Sequence, residues 1–404
     1  MMTTAPCRLA AAAALAAALV LAAPAQAQDT VRPDVGKALQ AAQALSKSGK
    51  HKEALGKVAE AEAVSGRTAF ENYTIQRTKG SIAAQAGDND TAAKAFEAVI
   101  SSGKASAGEN LKMMQAVAGL YYRAKDYPKA ATWAARYQKE GGTDPSMRTL
   151  LVQSYFLGND CASVSKVVGE GDGNGRKATE EELQILANCY LKQKDNQGYV
   201  SAIERLVVNY PKKEYWTDLL NRVQKKNGFS DRFAIDIYRL KLATGNVNTT
   251  NDYLEMAQLA LQAGFPTEAK KVIEKGYAAG ALGTGKDAER HKRLKDLADK
   301  TAAEQLAARP QAEKDAAADK SGNALVAIGY NYVTEGAAQK GLALMEEGIK
   351  KGGLKRPEDA KLLLGVAQLQ GGAKSRAVQT LKSVQGADGA ADLAKLWTLI
   401  AQRG

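Results

Sequence analysis

The chain is poor in several residue types, and each scarcity excludes something. Its 404 residues hold two histidines and three cysteines. His51 and His291 are far apart, and neither sits in a cluster of cysteines or carboxylates, so no metal site is expected. Neither a G-x-S-x-G nucleophile elbow nor an H-E-x-x-H zinc helix occurs, and no catalytic dyad can be assembled. The expectation is a protein that is not an enzyme and holds no cofactor. Prolines number only 9 and aromatics make up 6%, while alanine abounds. Rare proline leaves helices uninterrupted, and small side chains let helix backbones approach. That mixture points to packed helices rather than sheets.

A functional phosphate loop is also lacking. "GALGTGKD" at 280–287 comes within one residue of G-x-x-x-x-G-K-[ST], but Asp287 stands where a hydroxyl would ligate magnesium. No strand-forming stretch precedes it to aim the loop's amides at phosphate. The local expectation is a connector, in which Gly280 ends one helix and Thr284 caps the next with Asp287 three residues on. "GEGDGNGRKATEE" at 169–181 reads as a second, Gly-rich connector. Nucleic acid is not expected either. Tyr210, Tyr215, Trp216 and Tyr238 lie among Lys212, Lys213, Arg222, Lys225, Lys226, Arg232 and Arg239, but aromatics at helical spacing belong to a core.

Long apolar runs are confined to the N-terminus. Residues 1–27 carry one charge at Arg8, an apolar run from Leu9 to Ala23, and the small-x-small triplet Ala25-Gln26-Ala27. This is the pattern of a cleavable signal peptide, with the mature chain beginning at Gln28. The run is shorter than the roughly 20 residues of a membrane-spanning helix. Cys7 precedes the run, so it is not placed to anchor a lipid. The expectation is export to a bacterial periplasm, with no transmembrane segment in the mature chain. The formal charge is +12, and removing Arg8 with the leader leaves +11, which favours acidic partners or anionic surfaces.

What the chain has in abundance is repetition. Segments 38–61, 80–96, 116–137 and 328–348 each show an apolar helical stripe, a short polar turn, and a second stripe that opens on a small residue. That position falls at Ala54, Ala92, Ala130, Val164, Tyr199, Ala234, Ala269, Gly341 and Ala377, with Tyr199 the exception in size. Most steps lie near the roughly 34-residue period of helix–turn–helix repeats. One helical pair cannot bury its apolar face alone, and stacking neighbours bury it.

The pattern resembles the tetratricopeptide repeat family over nearly all of the mature chain. Gly80, Gly87, Ala92 and Phe96 carry the likeness in one unit. Ile328, Gly329, Tyr332, Gly336 and Gly341 carry it in another, and Leu364, Gly365, Gly372, Ala377 and Leu381 in a third. Tyr155 and Pro211 fall in register, whereas Tyr199 and the loop "KKNGFSDR" depart from it. The stretches "YPKKEYWTDLL" and "MAQLALQAGFPTEAKKVIEKGYAAG" are similar to repeat proteins that accompany TonB-type energy-transduction systems.

The implied fold class is an all-α solenoid. Residues 28–284 are expected to form tetratricopeptide-like repeats, and 285–320 a charged helical insert or degenerate repeat, mostly helical, poorly buried and interrupted by Pro310. Residues 321–404 then form a C-terminal pair with a capping helix, whose stripe is Leu393, Leu396, Trp397 and Ile400. Cys161 and Cys189, on neighbouring helices, are candidates for a disulfide, the alternative being two buried thiols.

The resemblance implies a groove lined by the first helix of each unit. One register there holds Gln43, Gln153, Asn188, Asn221 and Gln258, with Gln115 and Gln262 on the same face and Tyr122, Arg123, Phe156 and Lys192 nearby. Amides donate and accept, so a file of them suits an extended peptide backbone. The functional expectation is a scaffold binding a protein or peptide partner in the cell envelope. The alternative is a binder of anionic polymer, polysaccharide or peptidoglycan, through the basic surface.

Overall fold

The computed structural model describes residues 30–173 and 176–402. The proposed leader and Cys7 therefore lie outside the described residues. Among these there are twenty α-helices and no strand, an all-α repeat architecture. The chain forms two compact units that meet between Ser154 and Tyr155. The first unit contains α1 (Pro33–Lys47), α2 (His51–Ala63), α3 (Ala69–Gln85), α4 (Asn89–Ser101), α5 (Ala107–Arg123) and α6 (Tyr127–Lys139), and α7 (Pro145–Leu157) runs across the boundary.

The second unit begins with α8 (Cys161–Gly173), α9 (Glu180–Lys192), α10 (Asn196–Asn209), α11 (Lys213–Gln224), α12 (Ala234–Ala243), α13 (Thr250–Gln262) and α14 (Pro266–Ala278). It continues with α15 (Ala288–Ala318), α16 (Asn323–Glu335), α17 (Ala338–Lys351), α18 (Pro357–Gln370), α19 (Lys374–Lys382) and α20 (Ala390–Gln402).

Local sequence sets where these helices begin and turn. Thr68, Ser106, Thr179 and Thr249 close capping boxes with Glu71, Glu109, Glu182 and Asp252, each at the start of a first helix. Asp88, Asp126 and Asp195 cap second helices with their carboxylates. Between the two helices of a pair, one residue takes left-handed backbone. Glycine does this at Gly87 and Gly264, whereas Lys125, Asn159 and Lys194 do it at a steric cost.

Small residues let paired helices meet. Ala54, Ala92, Ala130, Val164, Ala269 and Ala377 are all fully buried at the start of second helices. In the first unit Val35, Leu39, Val58, Ile75 and Ile82 form one core cluster around Ala42, Ala54 and Ala61. Paired helices approach closely between α16 and α17, where a Cβ built on Gly341 would stand 2.5 Å from the Gly329 carbonyl oxygen.

Three features depart from expectation. The charged stretch is one helix of 31 residues that runs straight through Pro310. Arg309, buried, pairs with Glu335 of α16, and this side-chain anchor holds the helix where proline removes a backbone donor. The helix buries only His291, Ala298, Arg309 and Ala316, and Leu297 and Leu306 stay exposed. Second, α8 extends through Gly173, well into the stretch read as a Gly-rich connector. Third, α20 buries Leu393, Leu396 and Trp397, but it does not simply close the end of the array. It also packs on α10 and α12 of its own unit. Ion pairs Lys226–Asp392 and Lys395–Glu204 join α20 to that region, and Arg232 bridges Asp359 and Asp388. The Ser230 N–H donates to the Asp388 carbonyl at 2.9 Å.

Candidate binding surface

In each unit the first helix of a pair presents residues at four-residue steps counted back from the turn. Four residues make slightly more than one helical turn, so such side chains share a face. In the first unit this face carries Gln43 and Lys47 on α1, Arg77, Ser81 and Gln85 on α3, and Gln115 and Arg123 on α5. Between α1 and α3 it forms an open cavity of about 440 Å³ lined by Gln43, Lys47, Arg77, Ser81 and Gln85. Ser46 donates to Gln85 Oε1 at 2.8 Å and so fixes the edge of that cavity.

Gln43 is exposed in this groove and takes no side-chain hydrogen bond among the described residues. In the second unit Asn188, Asn221, Gln258 and Gln262 are likewise exposed and unbonded through their amides among the described residues. Other expected site residues are already engaged. Gln115 donates to Asp144 Oδ2 at 2.8 Å, and Arg123 reaches Asn89 Oδ1 at 3.5 Å. The Ser146 N–H, with Gln115 assisting, holds the Asp144 carboxyl below its usual range. Tyr122 is half-buried and meets Tyr127 edge-on, with ring centroids 5.7 Å apart. Phe156 is half-buried under the Lys192 ammonium, 4.0 Å from its ring centre, and Lys192 also donates to Asn159 Oδ1 at 3.3 Å. Gln153 is half-buried.

Sequence reasoning missed Lys47, Arg77, Ser81 and Gln85. The signal was present, since Lys47 follows Gln43 by four residues on α1, and Arg77, Ser81 and Gln85 repeat the same four-residue step on α3. Arg77 lies 4.0 Å from Glu109, and both remain substantially exposed.

Buried charge in the second unit is structural. Arg239, almost wholly buried, gives Nε and Nη2 to Glu268 at 2.8 and 2.7 Å and Nη1 to Asp236 at 2.9 Å. Tyr330 donates to Glu268 Oε1 at 3.1 Å. Against the cost of desolvation, the adjoining Glu268 carboxylate holds Arg239 charged. Trp216 and Tyr238, from the basic and aromatic stretch, are buried in the core.

The near-phosphate loop is a connector between α14 and α15 with no strand before it. Asp287, not Thr284, precedes the first helical residue, and it makes no side-chain cap. The loop is held instead by the Gly283 N–H, which donates to His291 Nδ1 at 3.1 Å, and that explains the buried histidine. Among the described residues no group of three or more His, Cys, Asp or Glu could hold a metal, and no helix is long and apolar enough to cross a membrane. Cys161 and Cys189 stand with Cα atoms 5.4 Å apart and are joined as a disulfide between α8 and α9.

Residues 183–213, comprising most of α9, all of α10 and the turn between them, match the tetratricopeptide repeat family. The chain thus carries the tetratricopeptide repeat. Similar solved structures include the TPR2AB domain of yeast Sti1 in complex with pHSP90, at 15% identity and a TM-score of 0.33, covering 66% of this chain and 98% of that one. Naa15/Naa10 bound to HypK-THB is 13% identical with a TM-score of 0.29, over 89% of this chain and 64% of that one. Yeast Tom70 is 12% identical with a TM-score of 0.25, over 91% and 95%. Comparison with curated protein sequences finds no match.

Proposed function

We propose that the protein is a non-enzymatic scaffold or adaptor of the bacterial periplasm, which binds a protein or peptide partner along its first-helix faces. The tetratricopeptide fold in general serves protein–protein contact rather than catalysis. The observation that carries the reading is the set of exposed, unbonded amides at matching positions: Gln43, Asn188, Asn221, Gln258 and Gln262. Such amides can pair with both the N–H and C=O of an extended backbone without reading its sequence. Tyr122 and Phe156 supply apolar area, and Arg123 and Lys192 supply charge to a free carboxylate. The leader-like residues 1–27 and the likeness to repeat proteins beside TonB-type systems support the envelope setting.

A second reading is favoured by the charge of +12 and by Lys47 and Arg77 in the groove of the first unit. It makes the ligand an anionic envelope polymer. A pull-down from envelope extract at low and high salt separates the two. A discrete protein retained at high salt supports the scaffold. Polymer released by salt, with no protein retained, supports the second reading and overturns the first.

A further inference from the structure

Beyond the first-helix faces, the second unit holds a larger trough of about 950 Å³, between α10, α11 and α20. Its volume lies near the top of the roughly 300–1,000 Å³ range of ligand pockets. It exists because α20 folds back on α10, so the residues that form it come from distant parts of the sequence.

The trough has an apolar floor and a charged rim. Val200, Leu219 and Val223 form the floor. On the rim, Glu204 and Asp392 are each met by a lysine, Lys395 and Lys226 respectively. The remaining cations of the lining are Arg222 and Lys225, of which Lys225 alone has no ion-pair partner among the described residues. Arg222 pairs with Asp218 at 3.0 Å, outside the lining, whereas Lys225 is exposed. Asn196 and Gln197 also line the trough and are exposed.

We infer that this trough is a second binding site, for an acidic peptide segment that alternates carboxylates with apolar side chains. Carboxylates meet Lys225 and Arg222, apolar groups rest on Val200 and Val223, and backbone amides pair with Asn196 and Gln197. An anionic polysaccharide would satisfy the cations but leave the apolar floor unused. The site is separate from the first-helix groove and does not depend on that reading.

The probe is a short fluorescein-labelled peptide of alternating Glu and Leu, titrated into the full-length protein at low salt. Lys225→Glu should weaken binding about tenfold, as loss and reversal of a rim charge opposite a carboxylate does. Val200→Ser should also weaken it. A Lys–Leu peptide should not bind. Lys94→Glu, exposed on α4 and outside both surfaces, should leave the titration unchanged. Lys225 is exposed, and circular dichroism checks that its variant is folded. Unaltered binding to Lys225→Glu overturns the inference. So does an oligogalacturonate that displaces the peptide while binding is indifferent to Val200→Ser. Loss of binding in Lys47→Glu but not in Lys225→Glu would place the peptide in the first-unit groove, which overturns this site and leaves the scaffold reading intact.

Discussion

Adding a single methyl group at Gly341 tests the packing argument at a close backbone approach inside the α16–α17 pair. A Cβ there would lie 2.5 Å from the Gly329 carbonyl oxygen, 2.6 Å from Val333 Cγ2 and 2.8 Å from the Val333 nitrogen. Ordinary contact begins near 3.4 Å, so the shortfall is 0.9 Å against atoms of the facing backbone. A side chain could rotate away, but a carbonyl in a helix cannot without moving α16. Replacing glycine by alanine in a helix should gain ~0.5–1 kcal/mol from backbone entropy. Overpacking costs ~1–3 kcal/mol, and backbone contact places this case at the upper end. The net loss for Gly341→Ala is therefore about 2 kcal/mol. In a unit of this size that lowers Tm by about 4–8 °C. Gly169→Ala, on the exposed face of α8 with nothing within 4 Å of its Cβ, should hold or raise Tm. Thermal unfolding followed by circular dichroism reads both. If Gly341→Ala matches Gly169→Ala, the close approach of α16 and α17 is refuted.

Other predictions follow from charge and covalent links. Arg239→Met leaves Glu268 and Asp236 buried without their cation and should cost ~3–5 kcal/mol in chemical denaturation. Glu71, buried and bound by Arg32 and the Thr68 N–H, has its pKa lowered from 4.5 to about 2. A depressed folded pKa gives stability that is present above about pH 4.5 and lost as pH falls through about 2. Glu71→Gln should therefore flatten that acid limb in a series of melting curves. Reducing Cys161–Cys189, which closes a separation of 28 residues, should lower stability by about 3.5 kcal/mol by chain entropy. Mass spectrometry after alkylation without reduction should find neither thiol modified. Trypsin should cut at exposed Arg176 or Lys177, outside any helix, before Lys314, which lies about one turn beyond Pro310 within α15; prior cleavage at Lys314 would contradict a helix that continues through Pro310.

The repeat was legible because it is written locally. A small residue opens each second helix, and a Thr or Ser three residues before an acid marks the start of first helices, as at Thr68–Glu71 and Thr179–Glu182. What escaped depended on partners distant in sequence. Pro310 reads as a break, yet Arg309 finds Glu335 and the helix continues. Thr284 reads as a cap, yet His291 takes the loop's N–H instead. The fold-back of α20 rests on pairs such as Arg232–Asp388 and Lys226–Asp392, separated by 156 and 166 residues, which no local pattern announces. The amides of the candidate surface were placed by register, but Lys47 and Arg77 needed the same four-residue step applied along each helix.

The scaffold reading is tested most directly by site-specific photo-crosslinking in living cells of the source organism. A photoreactive residue at Gln43 or Ser81, on the groove face of α1 and α3, should yield one discrete protein adduct. The same residue at Lys52 or Lys94, exposed on α2 and α4, should not. Adducts at Lys52 or Lys94 with none at Gln43 or Ser81 would contradict binding along the first helices.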